Sequence, residues 1–372
     1  METITLSREE DSIHWKQLWS LAALYGSVVI GWIAYENYQP KLLVQFNFTG
    51  YAFLLTVAQA IILVITPPIA GILGDRYRVE KGHRLPVITT GISFAAMIFM
   101  AVAFTLLGDP GELFKWILPV LIVCWLIAMS IFTSPALSTL ELFTPVDKLP
   151  RAMAVLTIVS NLLYALEPVV VDLIDYLGAP FTFMLGGAAV FVSGYFLQKN
   201  SLALFRMNNG REMETPVEVV SVRSKLPLIF GLGLALGIPT TFLFKFMPAI
   251  LVEQAGIAVT PDVKIVLVCL LVISAAFSLP ASLLTNKLGV SKSLGASIIM
   301  VAVCAVLLTG TNASAIVLPV AVLFTAAFAW LSVSSLPLAI GIANDRAKVF
   351  CVGIFFSGVA LPEGIIEAIQ AF

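Results

Sequence analysis

The chain is dominated by apolar runs that are long enough to cross a lipid bilayer. A helix needs about 20 apolar residues to span about 30 Å of hydrocarbon. Eleven stretches meet this requirement, at 17–38, 50–73, 85–107, 115–139, 152–176, 180–198, 226–251, 263–285, 291–309, 313–341 and 347–370. Only 12% of the residues are charged, whereas a soluble domain has about 25%. We therefore predict an all-α, polytopic membrane protein with about eleven transmembrane helices.

The sequence contains none of the usual patterns of an enzyme, a metal site or a nucleic-acid binder. Walker A, G-x-S-x-G and H-E-x-x-H motifs are absent, and the two histidines, His14 and His83, lie far apart. The four cysteines fall inside apolar runs without a C-x-x-C spacing, as small buried hydrophobic residues do. No basic stripe with interleaved aromatic residues is present. We expect no catalytic activity, no metal, no cofactor and no nucleic-acid partner.

Lysine and arginine concentrate in alternate connections, which predicts the orientation of the chain. Seventeen of the 21 basic residues lie on one side when the N-terminus, which lacks a cleavable signal pattern, is placed inside. The exceptions are Lys41, Lys115, Lys245 and Lys264. The predicted location is a plasma or inner cell membrane, with a cytoplasmic N-terminus and, because eleven is odd, an outer C-terminus.

One long polar connection divides six predicted spans from five. We expect an N-terminal bundle at 1–198, a cytoplasmic linker at 199–225 and a C-terminal bundle at 226–372. The sequence ends where a twelfth helix would begin. Either eleven spans are the natural number, or a terminal helix is absent or supplied by a membrane partner.

Short patterns of the first half recur in the second half. Asp75-Arg76 after span 2 is echoed by Asn286-Lys287 after span 8, which is 211 residues later. The series that follows spans 4 and 10 is Pro135, Arg151 and Pro168, then Pro337, Arg346 and Pro362. Two six-helix units joined by a linker fit the parallel repeats of a transporter that binds its substrate at midplane.

The segment Gly71–Pro86, GILGDRYRVEKGHRLP, resembles the loop between helices 2 and 3 of major facilitator superfamily transporters. Its length and register are similar to those of the sucrose–proton symporters and the wider glycoside–pentoside–hexuronide cation symporter group. The matched positions are Asp75, Arg76, Arg78, Gly82, Arg84 and Pro86. The stretch SSLPLAIGIANDRAKVFCVGIFFSGVALPE is similar to their helix 10–11 region. The resemblance implies a major facilitator fold of two pseudo-symmetric bundles that work by alternating access.

Span 4 departs from that symporter group. Its members carry an Asp, an Asn pair and Q-G-P-x-R, whereas this chain keeps Pro135 and has Leu137 at the arginine position. The proton-coupling carboxylate and the sugar-binding arginine are therefore missing. Only Glu141 retains an acid near the cytoplasmic end of this span, and we include it among the candidates for the substrate or proton pathway.

The resemblance implies that the charged segment acts as a conformational latch, for which the candidate residues are Gly71, Asp75, Arg76, Gly82 and Arg84. Gly71 allows close helix contact, and Asp75 can cap or pair with a facing helix end. The two arginines can bind carboxylates or helix carboxyl ends. The resemblance implies that such a latch favours the outward-facing state. The alternative is that the positive charge only fixes the topology.

Ionisable residues inside spans are candidates for the transport pathway because each costs about 3 kcal/mol or more at mid-membrane unless it is paired or hydrated. Glu36, which lies between Tyr35 and Asn37 in span 1, fits two interpretations. It is either a cavity acid for a polar or cationic substrate, or part of an interfacial cluster in an aromatic belt. Lys245 in span 7 either forms an ion pair with Glu36 across an outer gate or snorkels outward.

Span 5 supplies a second group of candidates. Asn161, Tyr164 and Pro168 share one helix face, and Glu167 borders it. Glu167 is either a protonatable pathway residue or a carboxyl group paired with a neighbouring helix, next to a proline that loosens the last turns. Glu363 occupies the pseudo-equivalent place in span 11 and is a candidate for the same role.

These features favour a secondary active transporter that moves a small polar solute, with a sugar or glycoside as one class and protons as the candidate coupling ion. The missing acid of span 4 leaves an exporter or uniporter of an amphipathic metabolite as a second option. A third option is a non-transporting membrane receptor or assembly partner.

Overall fold

The chain folds into long helices, and the residues that the computed structural model describes contain no strand. Those residues are 12–108, 116–214, 225–254, 262–310 and 314–371. The spanning helices are α1 Trp15–Gln45, α2 Thr49–Lys81, α3 Leu85–Leu107, α4 Ile117–Phe143, α5 Val146–Ala165 with Glu167–Leu177, α6 Ala179–Glu214, α7 Leu226–Gln254, α8 Val263–Leu288, α9 Val290–Gly310, α10 Ser314–Gly341 and α11 Lys348–Gln370. The all-α class and the count of about eleven spans are confirmed.

Two helices are interrupted close to a proline. α5 bends by 57° at Leu166, because Pro168 stands in the first turn of its second part and has no N–H to continue the ladder. Counting this bent pair as one span brings the total to eleven. In α7 a π-helical turn, Phe242–Phe246, follows Pro239. Such turns often occur at functional sites, and this one contains Lys245.

The charged segment is mostly helix and not the loop that the resemblance implies. α2 continues to Lys81, and only three residues, 82–84, connect it to α3. Gly82 ends the helix in the left-handed conformation with φ 78°, which a residue with a Cβ rarely adopts. Asp75 and Arg76 therefore have fixed positions on the last turns of α2. In the same way α6 extends through 199–214, so the predicted linker begins as helix.

The two membrane sides of the bundle are named here by one residue each. The Arg84 face holds the α2–α3 connection and the starts of α1, α5 and α11. The Glu367 face holds the opposite helix ends. The distribution of basic residues predicts that the Arg84 face is cytoplasmic.

Glycines allow α11 to lie in backbone contact with α2. A Cβ added to Gly71 would lie 2.5 Å from the Phe350 Cα, and one added to Gly353 would overlap the carbonyl oxygen of Pro67. Further along the same contact, the Ser357 hydroxyl donates to the Val64 carbonyl oxygen at 2.5 Å. The two helices therefore approach as closely as their backbones permit over several turns.

α7 contacts α11 in the same manner from another side. A Cβ on Gly358 would lie 3.0 Å from the Gly233 Cα, and one on Gly233 would overlap the Phe355 carbonyl oxygen. Small residues that let helix backbones meet are the usual basis of packing inside membranes. α11 is therefore held between α2 and α7.

A second contact between the first six and the last five helices is formed by α5 and α8. The Asn161 side-chain amide donates to the Ser274 hydroxyl at 2.9 Å, and both residues are buried. Nearer the Arg84 face, Ala154, Ala281 and Val333 form a small apolar cluster of α5, α8 and α10. The α2–α11 and α5–α8 pairs thus join the predicted halves.

We expect Gly353→Ala to destabilise the protein, because its methyl group must push α2 and α11 apart, and overpacking of this kind costs about 1–3 kcal/mol. The matched control is Gly295→Ala in α9, where an added Cβ meets nothing within 4 Å. Thermal unfolding of both variants in detergent provides the measurement. Equal melting temperatures for the two variants would contradict the close α2–α11 contact.

Candidate transport site and latch

Asp75 caps the first turn of α11. Its carboxylate accepts hydrogen bonds from the backbone N–H of Val349 at 3.1 Å and of Phe350 at 2.8 Å. Asp75 is 8% exposed, so these bonds are shielded from water. A carboxylate at a helix N-terminus satisfies free N–H groups and complements the positive end of the helix dipole. The capping geometry expected of Asp75 is therefore present, and it joins a helix of the first six to one of the last five.

Arg84 lies at the centre of a buried ion network beside this cap. Its guanidinium donates to a Glu141 oxygen at 2.5 Å and to the Ser138 hydroxyl at 2.7 Å, and Arg84 is only 2% exposed. The second Glu141 oxygen pairs with the Lys348 ammonium at 2.8 Å. Because Lys348 is the first residue of α11, the network ties α3 and α4 to that helix as well.

The network places Glu141 away from the other pathway candidates. Glu141 is enclosed by Arg84 and Lys348 at the Arg84 face, because α4 continues beyond Pro135 and presents Glu141 to the start of α3. The structure therefore groups Glu141 with the latch residues. Ser138 and Lys348 also belong to this group, and no sequence motif marked either of them.

The remaining latch candidates have different surroundings. Gly71 meets α11, and Gly82 ends α2. Arg76 pairs with Glu80 one turn along α2 at 2.8 Å, on the exposed side of the helix, so it does not hold a partner helix. Between Gly82 and Arg84, partial burial lowers the pKa of His83, and the nearby Arg206 charge adds to this effect.

At the Glu367 face, Lys245 pairs with carboxylates of its own half. Its ammonium lies 3.0 Å from Glu367 and 3.8 Å from Glu363, both on α11. Of the two interpretations of Lys245, the ion pair with Glu36 is not among the salt bridges of the described residues. The physical reason is that the glycine contact of α7 with α11 brings Glu363 and Glu367, which are one turn apart, directly against Lys245.

A hydrogen-bonded chain links this ion cluster to the first helices. Gln59 of α2 donates to Glu367 at 3.2 Å and accepts from the Tyr35 hydroxyl at 2.8 Å. The chain runs from α1 through α2 to α11 and thus crosses between the two halves. Gln59 and Glu367 were not predicted. Their only signal in the sequence is that each is a polar residue inside an apolar run.

Glu36 lies among the same carboxylates, and its interactions with the described residues are electrostatic. Its side chain is exposed although protein atoms surround it on several sides, and it interacts electrostatically with Glu363, Lys245, Glu167 and Glu367. The Glu36 neighbour Tyr35 stacks on Trp125 with ring centroids 4.6 Å apart. The Glu367 face therefore brings four carboxylates within electrostatic reach of Lys245, and Lys264 also interacts with one of them, Glu167.

Asn37 belongs to a separate surface cluster. Its amide donates to Asp175 at 3.1 Å, and the Lys41 ammonium lies 2.7 Å from the same carboxylate. The side chains of Lys41 and Asp175 are about half exposed. Asn37 thus has the interfacial surroundings that were the alternative for this stretch, whereas Glu36 faces inward.

The α5 candidates are divided by the bend of that helix. Asn161 lies in the buried α5–α8 contact with Ser274, whereas the Tyr164 ring packs edge-on against Phe244 of the π-helical turn at 5.2 Å. Glu167 opens the second part of α5 and is partly buried. Tyr164 and Glu167 therefore border the Lys245 cluster, and Asn161 does not.

The described residues contain no group of three or more His, Cys, Asp or Glu side chains that could hold a metal ion. The carboxylates of the Glu367 face are arranged around a lysine and a glutamine. This arrangement places charged and hydrogen-bonding groups inside membrane-spanning helices.

Comparisons with known proteins agree with this architecture. No curated protein matches the sequence. Among solved structures, a bacterial homologue of the iron transporter ferroportin in its outward-facing state has a TM-score of 0.63 at 14% identity, covering 96% of this chain and 91% of that chain. The proton:xylose symporter XylE, bound to 6-bromo-6-deoxy-D-glucose, has a TM-score of 0.61 at 14% identity, covering 94% and 88%. At these identities the likeness shows the fold.

A family model identifies the family of the chain. The model of the Major Facilitator Superfamily matches residues 18–362, which include all of α2 to α10 and most of α1 and α11. The helical fold, the charged α2–α3 segment and the two contacts between halves are consistent with this match. The protein is a multi-pass membrane transporter that belongs to the Major Facilitator Superfamily.

Proposed function

We propose that this transporter moves a small polar solute by alternating access and exchanges protons at the carboxylates of the Glu367 face. The observation that carries the proposal is the group of Glu36, Glu363 and Glu367 around Lys245, inside membrane-spanning helices. Ionised groups at this depth are costly, so they mark transport pathways more often than structural sites.

Proton exchange follows from the excess of acids over bases. Lys245 neutralises one carboxylate, and the Gln59 amide donates only one hydrogen bond to Glu367. Protonation of Glu36 or Glu363 relieves repulsion between like charges in a medium of low dielectric constant. A proton arriving there therefore stabilises the cluster and the contact of α1 and α2 with α11, and its release favours their separation.

The latch is proposed to act at the other end of α11. The cap by Asp75 and the Arg84–Glu141–Lys348 network hold the Arg84 face closed in this conformation. Opening that face requires Asp75 to release two backbone N–H groups and Glu141 to lose one of its cations. The positive-inside prediction makes this the cytoplasmic face, so the closed latch corresponds to the outward-facing branch of the cycle.

Two substrate classes have support. A sugar or glycoside is favoured by the resemblance of the α2–α3 segment to the sugar symporters and by the likeness to a xylose symporter. A solute with a positive charge is favoured by the four carboxylates.

We expect purified protein in proteoliposomes to take up one member of a panel of radiolabelled sugars and organic cations, faster with an imposed pH gradient. Glu363→Gln should retain binding and lose the dependence on the pH gradient, because the amide cannot exchange a proton. The matched control is Asp172→Asn, since Asp172 is an exposed acid on the second part of α5. Loss of the gradient effect in both variants, or in neither, would argue against Glu363 as the coupling residue.

We expect Asp75→Asn to shift the conformational equilibrium towards an open Arg84 face, because a neutral amide accepts the two α11 N–H bonds less strongly. Spin labels at the exposed positions Val79 and Lys287, in a background without native cysteines, report the separation of α2 from α8. The distance distribution should gain a longer component in the variant. Glu80→Gln, which removes only the exposed Arg76 pair, is the control and should resemble the parent protein.

A further inference from the structure

An open groove runs between α1 and α5, away from the transport site, with Trp19 and Ala23 exposed along it. It has a volume of about 320 Å³. Its lining residues are Trp19, Ala22, Ala23, Gly26, Ser27, Ile30, Val159 and Leu163. The groove is nearly all apolar, and none of these residues belongs to the latch or to the carboxylate cluster.

The groove arises from the spacing of small residues on α1. Positions 19, 22, 23, 26, 27 and 30 follow the helical repeat and share one face. Alanine, glycine and serine fill most of these positions, and their side chains are too short to fill the space between α1 and α5. The two helices come close at Gly26, where an added Cβ would lie 3.0 Å from Leu163. The lined stretch extends for about 16 Å at 1.5 Å per residue, parallel to the lipid chains.

Cationic and aromatic side chains surround the end of the groove at the Arg84 face. The Arg151 guanidinium stacks over the Trp15 ring at 5.7 Å, and Trp15 lies one helical turn before Trp19, which lines the groove. Trp15 and Trp19 are 42% and 56% exposed, and Lys16 and Arg151 are exposed as well. Tryptophan is typical of the membrane interface, where lipid headgroups lie.

We propose that this groove is a binding site for one anionic phospholipid. An acyl chain lies along Ala22, Ala23 and Val159, and the headgroup phosphate is bound by Arg151 with support from Lys16. Arginine suits a phosphate because its planar guanidinium donates two parallel hydrogen bonds. The basic residues lie at the end of the groove and the apolar surface lies along its length, which matches the phosphate and the acyl chain of a phospholipid.

Native mass spectrometry of the purified full chain, titrated with phosphatidylglycerol or phosphatidylcholine, tests this site. We expect one phosphatidylglycerol to bind more tightly than phosphatidylcholine, and Arg151→Ala to weaken it about fivefold. The matched control is Arg346→Ala, because Arg346 is the exposed counterpart of Arg151 in the sequence repeat and lies at the start of α11. Equal affinity for both lipids, or equal loss in both variants, would overturn the proposal.

A second pair of variants tests the apolar half of the site without changing charge. Ala23→Phe should fill the groove and remove the tightly bound phosphatidylglycerol, whereas Ala296→Phe at an exposed position of α9 should not. Melting temperatures without added lipid show that each variant is folded. If folded Ala23→Phe binds phosphatidylglycerol as the parent does, the groove is not the binding site.

Discussion

The backbone contact between α2 and α11 is the interaction on which the rest of this structure depends. Glycines at 71 and 353 remove the side chains that would separate the two helices. Asp75 then reaches the free N–H groups of the first turn of α11, which no helix can satisfy by itself. The contact is therefore both steric and electrostatic, and it joins helices from the two halves of a major facilitator.

The position of α11 connects the two membrane faces. Lys348 at its start completes the buried network of Arg84 and Glu141, whereas Glu367 near its end pairs with Lys245 and accepts from Gln59. The nineteen residues between these two ends span about 29 Å of helix, which is close to the thickness of the hydrocarbon. A movement of α11 against α2 therefore changes the latch and the carboxylate cluster together.

Much of the fold could be predicted from the sequence because the signals are local. The apolar runs located the spans, since the bilayer fixes the required length, and the charged α2–α3 segment indicated both the family and the capping role of Asp75. The sequence does not predict how far α2 and α6 extend as helix beyond their apolar runs. Charges at Arg76 and Glu80 resemble a loop in composition, yet a hydrated helix end accommodates them without loss of backbone hydrogen bonds.

The partners of the charged residues could not be predicted, because pairing depends on helix rotation and on contacts distant in sequence. Lys245 and Glu36 lie at comparable positions in the sequence repeat. The glycine contact of α7 with α11 nevertheless places Lys245 next to Glu367, with which it forms an ion pair. Glu141 was assigned to the pathway by its isolation in span 4, whereas its cations, Arg84 and Lys348, come from two other helices.

An engineered disulfide across the α2–α11 contact tests the central claim most directly. A Cβ on Gly74 would lie 3.4 Å from the Val349 Cβ, close to the separation of about 3.8 Å in disulfides, so Gly74→Cys with Val349→Cys can form a bond. We predict that the oxidised double variant in proteoliposomes transports no solute and that reduction restores uptake. Equal uptake by the oxidised and reduced forms would contradict the requirement that α2 and α11 separate.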